Sequence, residues 1–559
     1  MKNGLLLLFG AFILVHFVFS TTLLLNSQEY SDIISGAAYA KYNNYSYVFS
    51  LTPNQSVFVS KYYTLDPSEQ IIYLEGKKPV LPNMKALLLD SGIKKLEAYA
   101  PDSIQSWVAD RLPKNLAIIV GRQYGQDALS VSSYAALRGA PIFFIDPAAD
   151  YSKTVEGVAS RGYSQVLIYG PIASQIGEEQ LALLPNRRVI DTGSRYSNNV
   201  EIVSDFLSIR PSEQAMFVSG RTFEKSMVDA NYPIVLVGRS DVPAQLSEFI
   251  SNSTIKTGIV FSGDGDIVEG VNKLREQSPD VSFFVKFGEG YRGSTQPLPL
   301  VIIPLPAPTI SLQVINLTYN VPSKLFELRI KNTGDFAAVG AGATVPGAGS
   351  TQSSQVLMDP NSITTISIPL DASSAIVGGT IPSVAVTISY GEDTQLMDNI
   401  DSITFSSVGT SFYNDTSSVE LSGIAYSSQE KAFILTFEGH GWVAGTLGFN
   451  INNRPIILRI PLTSVDKITV VKIKHLLSAD EEKFISGLEA NYFVRMGQKG
   501  DILIKELRGQ GKIQLLEYSP KGNFSLQIDQ IYIFAIVILI VGAILAFKFF
   551  GGDGGSSFS

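Results

Sequence analysis

Asp127 and Asp32 are the residues to which chemistry attaches first. Each stands at the opening of a helical pattern that follows an apolar stretch. A carboxylate there either accepts backbone N–H bonds as an N-cap or faces a ligand, and the cap is the simpler reading. Arg122 lies between the apolar run 116–121 and Asp127, and Arg195 and Tyr196 lead into a further helix. Guanidinium and phenol groups in such loops could hold an anionic or hydroxylated ligand, although an arginine before a helix is more simply a surface residue.

Other motifs fail for physical reasons. Asp264 and Asp266, in SGDGD, offer oxygens to calcium, but the ordered loop of an EF-hand is missing and a solvated turn is the simpler reading. Gly288, Gly290 and Gly293 have the spacing of a dinucleotide loop. That loop needs a helix at its third glycine, and Pro297 and Pro299 prevent one. There is no G-x-S-x-G elbow and no H-E-x-x-H pair. Of three histidines, His16 lies in the apolar N-terminal run, leaving His440 and His475 far apart, and cysteine is absent. No nucleophile–base pair or zinc set can be assembled from these, so no enzyme activity, metal or cofactor is expected. His440, between Gly439 and Gly441, reads as an exposed turn residue beside a packed Trp442.

The elements that position these groups are legible from hydropathy. Residues 116–147 read as a buried strand, a polar turn, a helix and a second apolar strand, a βαβ unit covered on both faces. This stretch recurs. At an offset of 95 residues Asp127 falls on Asp32, Tyr134 on Tyr39, Gln165 on Gln70 and Asp205 on Asp110. A shortened third copy places Pro233 and Ile234 where the second has Pro141 and Ile142, and its first helix, near 223–228, is reduced. An offset held through several elements marks a structural repeat, here 21–114, 115–210 and 211–292.

With 559 residues, a net charge of −8 and a pI near 5.2, the chain has room for three or four domains and lacks the basic surface that nucleic acid requires. Lys2 and the apolar run 5–19 read as a signal peptide over 1–20, cut between Ser20 and Thr21. The apolar run 531–547 reads as a transmembrane helix over 529–550, with Lys548 and the tail 551–559 on the cytoplasmic side. The expected topology is a single-pass protein with its N-terminus outside. Absence of cysteine in an exported chain leaves stability to packing.

Asp127, Ala128, Leu129, Ser130, then Tyr134, Ala135, Ala136 and Gly139, Ala140, Pro141, Ile142 resemble the "DALS…A…GAPILL" signature of cell-wall-binding type 2 repeats. Arg195, Tyr196 and Ser197 resemble that family's "RYST" element. The resemblance is fullest in the middle copy and covers roughly half the chain. It implies α/β repeats packed in threes that anchor bacterial surface and S-layer proteins to envelope polymers. The first copy departs from the pattern, with Asn44, Tyr45 and Ser46 replacing the Gly-Ala-Pro triplet. A polymer anchor would also duplicate the membrane helix, so the scaffold is expected to outlive the binding role.

Prolines 297, 299, 304, 306 and 308 mark a semi-rigid spacer or edge segment between domains at 293–308. Beyond it, short alternating strands over 309–407 read as an immunoglobulin-like sandwich, and "RIKNTGD" with "VAVTISYG" resembles CARDB-type modules of surface proteins. A second β-rich domain follows over 408–520, with one short helix behind the capping box 478–481. Six sequons, at Asn44, Asn54, Asn252, Asn316, Asn414 and Asn523, are glycan candidates.

The expected protein is therefore a structural or interaction component of a prokaryotic, archaeal cell surface. Its α/β head would be held off the membrane on a β stalk, with self-association or other envelope proteins as partners. A receptor or adhesin that binds glycan or anionic polymer through its repeats is the alternative.

Overall fold

Three leucines in a row open the first sheet, and they divide between two layers. Leu23 and Leu25 enter one core and Leu24 another. Successive side chains of a strand face opposite sides, so an unbroken apolar run fits a sheet covered on both faces. The second copy sends Ile118 and Val120 inward and Ala117 and Ile119 outward, and the third does the same with Met216 and Val218 against Ala215 and Phe217.

The computed structural model describes residues 21–516 apart from 62–69, 147–150, 193, 239–241, 262–266, 289–299, 308, 335–337, 345–356, 392–398, 452–453, 476 and 478. The expected signal peptide and membrane helix lie outside the described residues. Among the described residues no helix is long and apolar enough to cross a membrane.

The first repeat runs β1 (Thr21–Asn26), α1 (Tyr30–Tyr42), β2 (Ser46–Phe49), α2 (Pro53–Lys61), β3 (Gln70–Glu75), α3 (Met84–Asp90), β4 (Lys95–Tyr99) and α4 (Ile104–Ala109). The second follows with β5 (Leu116–Gly121), α5 (Gly125–Arg138), β6 (Ile142–Ile145), α6 (Ser152–Ser160), β7 (Gln165–Tyr169), α7 (Glu178–Ala182), β8 (Arg187–Ile190) and α8 (Arg195–Ile209). The third has β9 (Gln214–Val218), β10 (Thr222–Glu224), β11 (Ile234–Leu236), α9 (Ala244–Asn252), β12 (Thr257–Phe261), α10 (Val268–Gln277) and β13 (Ser282–Lys286).

Each repeat builds one four-stranded parallel sheet with the same order: β2-β1-β3-β4, β6-β5-β7-β8 and β11-β9-β12-β13. The proline correspondence is also structural. The carbonyl of Pro141 accepts from Ile118 N at 3.0 Å and that of Pro233 from Met216 N at 2.9 Å. Helices α1 and α5 pack on each other, and residues of all three repeats share a single core.

In the third repeat a strand, β10, replaces the central helix, and the proline-rich segment completes it. Strand β14 (Ile302–Pro304) pairs antiparallel with β10, and Ile303 and Leu305 are buried in the shared core. The carbonyl of Pro306 accepts from Gly125 N at 3.0 Å, closing the N-terminus of α5. Of the two readings of the proline-rich stretch, 300–306 takes that of an edge segment. Its apolar residues cover core that the lost helix leaves open, and burial outweighs the stiffness of proline.

The next domain comprises β15 (Leu312–Asn320), β16 (Leu325–Asn332), β17 (Ala338–Thr344), β18 (Leu357–Met358), β19 (Ile363–Pro369), β20 (Thr380–Gly391) and β21 (Asn399–Ser411). They form one path, β18-β17-β20-β21-β15-β16-β19, antiparallel except where β15 meets β21. The path rolls up around a core that includes Tyr319, Phe326, Ile366 and Val386.

The last described domain has β22 (Ser418–Ser427), β23 (Ala432–Ile451), β24 (Arg454–Lys474), α11 (Ala479–Phe484), β25 (Glu489–Gly497), β26 (Lys505–Lys512) and β27 (Gln514–Leu516). Strand β23 pairs with β24 along its length, with β22 through its first half and with β25 through its second. A register shift between Val443 and Gly445 bends it between the two layers. The rings of Phe433 and Phe449, near its two ends, stand 5.1 Å apart. His440 is exposed as expected, but it lies within β23 and not in a turn.

Candidate functional site

The five residues singled out from the sequence separate into two clusters at junctions between repeats. Asp127 and Asp32 each occupy the third position of their helix. Tyr124 and Glu29 stand at the N-cap positions, and neither makes a side-chain cap bond. The cap reading of both aspartates is therefore corrected, because the helices begin two residues earlier.

Asp127 is buried, and its Oδ2 has no hydrogen-bond partner. Burial, reinforced by Asp191, pushes its carboxyl well above the usual range against the pull of Arg195, which favours the protonated form. It rests on Gly170, whose φ is +84° and where a Cβ would come within 2.1 Å of Oδ2. Asp32 repeats the arrangement beside Gly76 and accepts from Ser27 Oγ at 2.8 Å. Burial raises its carboxyl, and the Ser27 bond counteracts this.

Arg195 is buried, which corrects its reading as a surface residue. It is the first residue of α8, whose N-cap Ser194 accepts from Ser197 N, and it crosses to the third repeat. Its Nη1 donates to Ser219 O at 3.2 Å and its Nη2 to the hydroxyl of Tyr196, itself buried, at 2.6 Å. Arg122 joins repeats one and two. It donates to Ser31 Oγ at 3.2 Å, lies 3.7 Å from Glu29 and accepts from the Tyr30 hydroxyl on its own carbonyl. With a side chain 37% exposed, Arg122 is the member of the five that meets solvent most openly.

A third cluster carried no sequence signal. Arg188, on β8, donates to Glu201 at 2.7 Å and to Asp205 at 2.5 Å, both on α8. The last β domain closes over it, bringing His475 and Glu481, and all five residues are buried. Burial and the nearby Asp205 and Glu481 push Glu201 up to about 8 against the pull of Arg188. Burial, and then the Arg188 charge, hold His475 down to about 3, so its ring is neutral. One guanidinium thus pairs with two carboxylates of its own repeat, and a third, Glu481, acts on both of them from across the domain seam.

Nearby, Arg459 of β24 reaches Asp191 of the second repeat at 3.4 Å and Asp359 of the first β domain, tying three domains at one side chain. Arg495 donates to Thr365 O at 2.8 Å and Arg329 to Asp501 at 2.6 Å, so the β domains are also joined to each other. Beside the seam lies a half-open cleft of about 1020 Å³ walled by α8, α9 and the last β domain.

Asp264 and Asp266 lie outside the described residues, and among the described residues no three acidic or histidine groups are placed to hold a metal ion. Asn44, Asn54, Asn252, Asn316 and Asn414 are all exposed, and Asn523 lies outside the described residues.

No family model matches the chain, and no curated protein matches it. Among solved structures it is similar in part to Cwp6 from Clostridium difficile, at 16% identity and a TM-score of 0.36 over 47% of this chain and 44% of that one. Cwp8 from the same organism gives 17% and 0.36 over 47% and 48%. A tetra-tandem repeat from the extending region of a large adhesion protein gives 13% and 0.14 over 38% and 51%. The chain spans less than half the length of either Clostridium difficile chain.

Proposed function

We propose that this is a structural component of a prokaryotic cell surface, S-layer-like and non-enzymatic, carried to the exterior by its N-terminal apolar run and held by its C-terminal one. The observation that carries the reading is the set of three parallel units with one strand order around a common core, followed by two β domains. Such an array offers large surfaces for assembly, and among the described residues no acid, base and nucleophile are brought together.

The three domains are not strung out as a stalk. The last β domain folds back on the second repeat and touches the first β domain through Arg459, Arg329 and Arg495. Its final strand, ending at Leu516, pairs with Ser427, one residue from Tyr426, whose hydroxyl accepts from Leu477 N at the cleft. The chain therefore leaves this domain close to the head, and the head would stand near the membrane as part of a compact coat.

Electron microscopy of the native envelope tests the reading. Regular arrays labelled by an antibody to the repeats are expected, and sparse isolated particles would overturn it. An adhesin reading keeps one supporting observation, the solvent access of Arg122. Loss of binding to isolated envelope polysaccharide on Arg122→Glu, with folding intact, would favour it.

A further inference from the structure

The seam cleft has a polar wall and a sequon on its rim. Its volume, about 1020 Å³, is at the upper end of the roughly 300–1,000 Å³ that small-molecule sites span. Gln245, Glu248, Phe249 and Asn252 face it from α9, the i, i+3, i+4 and i+7 stripe of one helix side. Asn252 is the last residue of that helix and is exposed. Ser253 and Thr254 complete N-x-T, and their hydroxyls donate to Ile250 O and Ser212 O at 2.9 Å each, with Thr254 itself exposed.

Two groups on the cleft walls have buried polar atoms without partners, Arg188 Nε and Gln245 Oε1. Unsatisfied buried donors and acceptors are uncommon and call for a partner such as a bound water, an ion or a polar ligand. The ionic groups, Arg138 and Arg188 against Asp205, Glu248 and Glu481, do not add up to a cationic surface. Amides, hydroxyls and the rings of Tyr134 and Phe249 dominate, which suits a neutral saccharide with polar rims and apolar faces.

We infer that Asn252 carries an N-linked glycan whose first sugars lie in this cleft and bridge α9 to the last β domain at Asn450 and Glu481. In the transfer, the Asn252 amide nitrogen bonds to C1 of a sugar on a polyprenyl-phosphate-type donor. The C1–O bond breaks, its electron pair leaves with the lipid phosphate, and one amide proton is lost. Other exposed sequons can be modified as well, but the described ones at Asn44, Asn54, Asn316 and Asn414 do not line this cleft.

The inference rests on the export proposed above, so the test separates the two. Protein purified from its own cells is digested and the Asn252 peptide weighed, while surface labelling of intact cells reports export. Hydrogen exchange at 450–451 and 477–481 is then compared between wild type, Asn252→Gln and Thr254→Ser, the last of which keeps the sequon. A saccharide mass at Asn252, with exchange at both segments at least tenfold slower in wild type and Thr254→Ser than in Asn252→Gln, is expected. An unmodified Asn252 on surface-exposed protein overturns the inference. So does a modified Asn252 whose loss leaves exchange at both segments unchanged. An unlabelled protein inside the cell overturns the export reading and the glycan with it.

Discussion

Glu201 shows how a domain contact can be felt in a single proton. Its ordinary value is near 4.5, and in the folded seam it is pushed up to about 8. Between those values the folded chain holds a proton that the unfolded chain has released, so stability falls as pH rises through the window and levels off above it. A tenfold difference in proton affinity between the folded and unfolded chain is worth about 1.4 kcal/mol, so the slope is measurable. Glu201→Gln should flatten the fall and leave the variant more stable than wild type at the alkaline end. Urea midpoints across that range check this, and parallel slopes for the two proteins would refute it. Some slope should survive, because Asp205 is raised as well. The residue next door, His475, is neutral in the folded chain, but its unfolded imidazole binds a proton below about 6.5. It therefore adds a slope of opposite sign in the acid half of this window and none above it, where the Glu201 fall is read cleanly.

Gly170 and Asp127 give a second residue-scale expectation. A methyl group at Gly170 would meet both a positive φ and the Asp127 carboxyl, so Gly170→Ala should destabilise the head by about 1–3 kcal/mol. Asp127→Asn keeps the shape and removes an acid that burial already disfavours in its charged form, and it should be tolerated within about 1 kcal/mol at neutral pH. Thermal melts of both variants measure this. A large loss from Asp127→Asn would mean that the carboxylate itself matters, as a ligand contact would require.

At the scale of elements, the strands of the head are readable because each has to satisfy two cores at once. Leu23 to Leu25 and Ile118 to Val120 admit few alternatives to a strand covered on both sides. Segment 300–306 leaves spacer and edge segment both open in sequence because the five prolines between 297 and 308, two of them within it, dominate the local composition, while the feature that decides its place is the apolar run 300–303. Ile303→Asp should therefore damage the head itself, lowering its melting temperature, whereas a true spacer would accept the change. Strand β23 reads in sequence as a short strand followed by a Gly-His-Gly turn. Gly439 and Gly441 have φ values of +122° and +136°, but they serve a bend within a continuous strand. At Gly445 a Cβ would lie 2.0 Å from Phe493 O, so Gly445→Val should unfold this domain while leaving the head's transition in place. Differential scanning calorimetry separates the two outcomes.

For the whole molecule, what sequence reading does not reach is the set of contacts between domains. Arg459 and Asp191 are 268 residues apart, and no periodicity or motif connects them. A stalk is the natural expectation from domains in series, because a linear order says nothing about which surfaces meet. The meeting depends on a few charged groups taken from solvent together. Arg459 has a side chain only 19% exposed and Asp191 one only 8% exposed, so removing the guanidinium takes from a buried carboxylate its cationic partner in the last β domain. Charge-assisted hydrogen bonds of this kind are worth about 1.5–3 kcal/mol each. Arg459→Ala should accordingly release the last β domain from the head while each domain stays folded. Small-angle scattering should then show a larger radius of gyration and a longer maximum dimension, and melting of the head should be little changed. Arg459→Lys keeps the charge but cannot fork between Asp191 and Asp359, so an intermediate expansion is expected. Scattering curves for Arg459→Ala that superimpose on wild type would show that the compact arrangement is held elsewhere, with the Arg188 cluster the next place to cut.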